Sequence, residues 1–281
     1  MKFGITSGGV ARFGDARYEK AHTYGFSAVD LAMMNTELPL YGCSEEELVS
    51  LMQKERALAE QSDVSFYQVH GPWCWPPVDD TEESRAKKTE HCKRSMRAAA
   101  LLGAKCWVIH PLMPFGVTDL ECDKAEQTWQ LNLEFFRALL PTAHELDVTI
   151  CLENMPFLKF SISTPEEILR MIREIDDDHF KMCLDTGHVG VFPQLSLADE
   201  IRRVGDVLCA LHIHDNDARR DLHLLPTFGR LRWEGFAAAL REVGFKGVFS
   251  FESTPPRTLP EDVYLRLLQI QNDIGQYLLT L

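Results

Sequence analysis

Residues 149–185 hold one full repeat of the pattern that organises the chain: Thr149-Ile150-Cys151-Leu152-Glu153, then Thr164-Pro165-Glu166-Glu167, then Lys181-Met182-Cys183-Leu184-Asp185. The two outer runs are short and apolar, as strands covered on both faces are. The middle segment reads as a helix start, with Thr164 as N-cap, Pro165 at the first helical position and two glutamates against the positive end of the helix dipole. Strand, helix, strand is the unit of a parallel sheet. Both strands also end in a carboxylate.

The same unit recurs in both directions along the chain. Candidate strands are Phe3 to Ser7, Ala28 to Met33, Ser65 to His70, Cys106 to His110, Thr149 to Glu153, Lys181 to Asp185, Leu208 to His214 and Val248 to Glu252. Helical segments separate them. Ser44 followed by Glu45-Glu46-Glu47 forms a capping box, and a last helix is expected from Asp262 to about Leu279. No linker or low-complexity stretch divides the series. Eight strands in 281 residues match the usual size of a (β/α)8 barrel, about 250 residues. The expected fold is therefore α/β, a single (β/α)8 TIM barrel forming one domain over residues 1–281. An open doubly wound sheet lacks support, because no Gly-x-Gly-x-x-Gly follows a strand and no Walker loop is present.

Composition narrows the function classes. Hydrophobic residues make up 45% and charged residues 25%, ordinary values that argue against disorder. No apolar run approaches the roughly 20 residues that span a bilayer, and Met1-Lys2-Phe3-Gly4-Ile5-Thr6 alternates like a strand rather than a signal peptide. A cytoplasmic protein without membrane attachment is expected. The eight cysteines form no C-x-x-C pair, and Cys106, Cys151, Cys183 and Cys209 lie in apolar strands, where a reduced thiol serves as a small buried hydrophobe. A net charge of -13 repels polyanions and weighs against a nucleic-acid partner.

The ionisable residues are placed less ordinarily. Strand three ends at His70 before Gly71-Pro72, strand four at His110 before Pro111, strand five at Glu153, strand six at Asp185, strand seven at His214 and strand eight at Glu252. A single one would read as a rim residue. Six in succession read as one shared site, because a parallel barrel gathers all its C-terminal strand ends at one mouth. Three carboxylates gathered without counter-ions are costly, and a divalent cation is the simplest neutraliser. A mixed Glu, Asp and His set suits Mn or Zn, with Co, Fe or Mg as alternatives. His188, in Asp185-Thr186-Gly187-His188, and Asp221 and His223 belong to the same neighbourhood, as ligands or as substrate contacts. His212 shares the face of His214 deeper in the barrel, in a packing or supporting position. Trp73 and Trp75 form a rigid aromatic loop that either walls a small polar ligand or covers the rim. Arg219 and Arg220 either bind a hydroxyl or phosphate group or pair with nearby aspartates.

The segments His70-Gly71-Pro72, Ile109-His110-Pro111, Leu152-Glu153-Asn154, Leu184-Asp185-Thr186-Gly187-His188, His212-Ile213-His214-Asp215-Asn216-Asp217, Asp221-Leu222-His223 and Phe251-Glu252 together resemble the xylose isomerase-like TIM-barrel superfamily. That superfamily joins sugar isomerases and epimerases to the endonuclease IV type of apurinic endonuclease. Resemblance to the epimerase branch implies that Glu153, Asp185, His214 and Glu252 bind one divalent ion while His188 contacts substrate. Resemblance to the endonuclease branch implies further metal ligands at His70, His110, His188, Asp221 and His223. The expected activity is a metal-dependent sugar, sugar phosphate or cyclitol isomerase or epimerase, with Glu153 and Glu252 as acid/base groups and Trp73 and Arg220 at the substrate. A metal phosphodiesterase and a non-catalytic sugar-binding barrel remain as alternatives, and a homo-oligomer is compatible with either. Two departures stand out. The family's Pro-Gly-x-Gly segment is Pro226-Thr227-Phe228-Gly229 here, and strand two offers Asp30 where relatives commonly have Glu.

Overall fold

In the computed structural model, which describes residues 1–281, eight strands pair in parallel. They are β1 (Lys2–Thr6), β2 (Ala28–Ala32), β3 (Gln68–His70), β4 (Cys106–Ile109), β5 (Thr149–Glu153), β6 (Phe180–Asp185), β7 (Leu208–His212) and β8 (Val248–Phe251). Their order is β7-β6-β5-β4-β3-β2-β1-β8. An Ile213–Phe251 bridge joins the two ends. There the Ile213 N–H donates to the Ser250 carbonyl at 2.8 Å and the Glu252 N–H donates to the Ile213 carbonyl at 3.1 Å, so the sheet closes on itself. The fold is a single (β/α)8 barrel.

Nine α-helices lie along the chain: α1 (Arg17–Thr23), α2 (Glu45–Glu60), α3 (Glu82–Leu102), α4 (Ala125–Leu146), α5 (Pro165–Ile175), α6 (Thr186–Gly190), α7 (Leu197–Val204), α8 (Phe236–Glu242) and α9 (Glu261–Leu278). The expected capping box at Ser44 is present in α2, and Thr164 forms another at α5 with Pro165 in the first turn. None of the helices is long and apolar enough to cross a membrane.

Two strands are shorter than their apolar runs by two or three residues. The run ending at His214 pairs as a strand only to His212, because the His214 N–H donates to Thr186 Oγ1 at 3.0 Å instead of a neighbouring strand. The run starting at Ser65 begins regular pairing only at Gln68, after an isolated bridge from Ser65 to Ala28. A short extended segment, Pro114–Val117, lies outside the barrel sheet.

The apolar interior divides in two. A large cluster fills the space between strands and helices, including Trp107, Phe136, Phe180 and Tyr264. A small separate one, Cys106, Val108, Cys151, Cys183 and Ala210, lies inside the barrel. Above it, toward the strand C-termini, the interior turns polar, and Gln68 and Asp30 lie there hydrogen-bonded to each other at 2.7 Å.

Candidate active site

Each predicted strand-end residue reaches the mouth on its own element. His70 and Glu153 close β3 and β5, Asp185 closes β6, and His110 and Glu252 follow β4 and β8 by one residue. Glu153 sits at the centre with no solvent exposure. Its Oε2 meets His110 Nε2 at 3.1 Å and His70 Nε2 at 3.3 Å, and its Oε1 meets His212 Nδ1 at 2.9 Å. Asp185 has two jobs. Its Oδ1 accepts the His188 N–H at 2.7 Å and so caps α6, while His214 Nε2 lies 3.0 Å from its carboxylate. That cap folds His188 back over the mouth, where Nδ1 meets the Asn154 carbonyl at 2.6 Å and Nε2 faces Asp221 at 3.3 Å. Gly187 is required beside it, since a Cβ there would fall on the His214 ring.

Asp221 and His223 arrive on the long loop after β7. Asp215 organises that loop from a fully buried position. Its carboxylate accepts the N–H groups of Asn216, Leu231 and Thr227 at 2.8, 3.0 and 3.0 Å and the Trp233 indole N–H at 3.1 Å. Backbone bonds between Asp215 and Leu224 tie the intervening residues into a hairpin-like excursion. His223 Nε2 then meets Asp221 Oδ2 at 3.1 Å, and its ring stacks on His214 at 4.2 Å.

The charges are strongly interdependent. Burial works against ionising Glu153, Asp185 and Asp221, yet the surrounding imidazoles outweigh it: Asp185 falls to about 2, and Glu153 and Asp221 also lie well below the usual carboxylate range. Burial likewise disfavours charged rings at His188 and His223, but Asp185 and Asp221 raise the first to about 10, and Asp221 with Glu252 raises the second to about 9. His110 goes the other way, to about 4, because burial exceeds its attraction to Glu153. Glu252 is raised by burial against the pull of His212 and His223.

Glu153, Glu252, His110, His188, Asp221 and His223 line one cavity of about 500 Å³, walled on the other side by Trp73, Trp75 and Phe157. Trp73 meets the His110 ring edge-to-face at 4.4 Å, and Trp75 stacks on Phe157 at 5.6 Å. Arg220 is not among them. Its guanidinium is largely exposed and pairs with Asp217 Oδ2 at 2.7 Å, the ion-paired arrangement that the sequence also allowed. Sequence reasoning left Asp30 outside the site. The structure places it directly beneath, with Oδ2 3.0 Å from His212 Nε2, so Asp30, His212 and Glu153 form a continuous chain into the barrel. Asp215 and Asn154 were also missed as supports. Asn154 exchanges hydrogen bonds with the Asp185 backbone at 2.8 and 3.1 Å, and only their positions next to His214 and Glu153 hinted at such roles.

Fold and mouth together define a class, a (β/α)8 barrel whose strand ends deliver carboxylates and imidazoles to one cavity. Within it, the chain belongs to the xylose isomerase-like TIM-barrel family, whose profile matches residues 18–270. A D-psicose 3-epimerase from Ruminiclostridium cellulolyticum is 25% identical over 236 residues, 82% of this chain and 74% of that protein. A probable endonuclease 4 from Mycoplasmoides gallisepticum is 28% identical over 181 residues, 60% of this chain and 57% of the relative. A solved D-tagatose 3-epimerase-like protein superposes with a TM-score of 0.78 at 22% identity, covering 100% of this chain and 97% of the other. At that identity the structural likeness bears on the fold.

Proposed function

We propose that the protein is a metal-dependent epimerase or isomerase of a small keto sugar, sugar phosphate or cyclitol, moving a proton at the carbon beside the carbonyl. The observation that carries this reading is the placement of Glu153 and Glu252. They stand at the ends of β5 and β8, line the same cavity, and approach one nitrogen, His212 Nδ1, at 2.9 and 3.6 Å. A carboxyl group on each side of a bound substrate suits removal of a proton from one face and return to the other. Their surroundings also separate them, since imidazoles keep Glu153 ionised while burial raises the proton affinity of Glu252.

The donor set fits a divalent transition ion. Glu252 Oε2 is buried without a hydrogen-bond partner, and nitrogens of His212, His223 and His214 lie 3.6, 3.8 and 3.9 Å from it. Those separations exceed hydrogen bonds and suit donors that share an ion. Asp185, His188 and His214 also offer donor atoms within 4.8 Å of one another. Glu153, Asp185, His214 and Glu252 would hold the ion, and Mn or Zn suits their mixed nitrogen and oxygen donors. When bound, it supplies Lewis-acid polarisation of a substrate carbonyl. His188, fixed by Asn154, is placed to orient a substrate hydroxyl, and Trp73 and Trp75 wall the opposite side.

Phosphodiester hydrolysis is a second reading, favoured by one observation: His70, His110 and Glu153 offer a further set of donor atoms within 4.8 Å of one another. A substrate screen separates the two. Chelator-stripped protein should be inactive on ketoses and regain epimerisation with Mn(II) or Zn(II). Glu153→Gln and Glu252→Gln should each lower turnover by about 10²- to 10⁴-fold, the usual worth of a general base. Near-normal turnover by both variants would exclude the two-glutamate scheme, and efficient cleavage of abasic DNA without ketose turnover would favour the second reading.

A further inference from the structure

We propose that the floor of the barrel holds a second metal site, in which Cys106, Cys151 and Cys209 bind one soft cation of the Cu(I) type through three thiolates. The three enter from the N-terminal parts of separate strands: Cys106 opens β4, Cys209 is the second residue of β7 and Cys151 the third of β5. Their sulfurs all lie within 4.8 Å of one another, with Cys106 Sγ and Cys209 Sγ 2.9 Å apart. Three sulfurs each about 2.3 Å from a central ion stand about 4 Å apart, so the Cys106 and Cys209 thiols need to separate by about 1 Å to admit it.

A β-bulge supplies the third sulfur. Met182 pairs with Leu208, and the next residue, Cys183, pairs with Ala210, which leaves Cys209 as an extra residue in β7. Leu208 packs in the outer core, whereas Cys209 and Ala210 both belong with the interior cluster. Bulges re-aim side chains in this way. Regular alternation would have sent residue 209 to the face opposite Ala210, away from Cys106 and Cys151.

The chemistry of this set differs from that of the mouth. Its donors are sulfur alone, and thiolates select soft ions over the harder ones that oxygen donors hold. Three sulfurs without a fourth protein donor fall short of a closed tetrahedral zinc site. Cys106 and Cys151 are fully buried, while Cys209 is half-buried and gives a way in. The two buried thiols direct hydrogen bonds to Cys209, which lowers its proton affinity, and Lys181 adds a positive charge nearby. Binding would release the remaining thiol protons.

Anaerobic titration of the reduced, chelator-stripped full chain with Cu(I), in competition with bicinchoninate, tests the site. One Cu(I) per chain should be retained, and its X-ray absorption should show a shell of three sulfurs. Cys209→Ala and Cys151→Ala should each weaken binding at least about 100-fold, more than the 10- to 100-fold typical of losing a supporting residue. Cys122→Ala, at an exposed thiol, and Asp185→Ala, at the mouth, should retain it. Nitrogen or oxygen scatterers around copper in the wild type would overturn the proposal even if a cysteine variant failed to fold. So would wild-type affinity in both cysteine variants, or a Cys106–Cys209 disulfide as the resting state of the isolated protein.

Discussion

Thr227 shows at the scale of one residue how this chain departs from its family. It occupies the position of the first glycine in the Pro-Gly-x-Gly segment and adopts φ 72°, a left-handed conformation that is unfavourable for a β-branched side chain. The conformation is retained because its N–H must meet Asp215 Oδ2 at 3.0 Å. Ala218 and His223, in the same loop, also have positive φ, the kind of local strain that collects around functional sites. Thr227→Gly should therefore raise stability by about 0.5–1 kcal/mol, after allowing for the greater freedom of glycine in the unfolded chain. A denaturant midpoint equal to or below that of the wild type would show that the loop tolerates threonine without strain.

At the scale of elements, the barrel strands were legible because short apolar runs repeat eight times, the last six ending in an ionisable residue, and the strands form where those runs lie. Their ends were less legible. Thr186 Oγ1 takes the His214 N–H out of the sheet, a side-chain competition that periodicity does not encode. The bulge at Cys209 was hidden for a related reason, since an inserted residue leaves the composition of the run unchanged. For the mouth, residue types at strand ends were sufficient to gather His70, His110, Glu153, Asp185, His214 and Glu252. Arg220 was not placed by the same logic, because its loop folds around Asp217 and Asp215 through contacts specific to the tertiary structure. Asp215 carries the loop after β7, which brings in Asp221 and His223. Asp215→Ala should lower stability by at least about 2 kcal/mol, since it strands several buried donors. It should also reduce the stabilisation that added Mn(II) gives in thermal melts. Lower stability with an unchanged response to Mn(II) would separate the loop from the site.

For the whole molecule, the mouth couples stability to proton binding and, on the proposed function, to metal binding. His188 and His223, at about 10 and about 9, lie above the unfolded histidine value of about 6.5. Raised values mean that their contribution is complete below about pH 6.5 and is lost as pH rises through 9 and 10. Asp185, lowered to about 2, behaves oppositely, contributing above about pH 4 and losing its effect as pH falls toward 2. The melting temperature of metal-free protein should thus decline from pH 7 to pH 10. Apparent affinity for Mn(II) should increase as pH rises through 9 and 10, because the positively charged imidazoles of His188 and His223 oppose a cation and lose that charge there. Calorimetric scans with and without Mn(II) would check both trends, and a flat alkaline profile with pH-independent metal affinity would contradict them.

The central claim, proton transfer by Glu153 and Glu252 from opposite faces of a metal-activated keto sugar, is tested most directly by following the reaction in deuterium oxide. With an active ketose and Mn(II), the product should carry one solvent-derived deuterium at the inverted carbon. With Glu153→Gln or Glu252→Gln, substrate should exchange that hydrogen only on the face served by the remaining carboxylate, with little inverted product. Wild-type conversion without any solvent deuterium at that carbon would contradict the two-glutamate account.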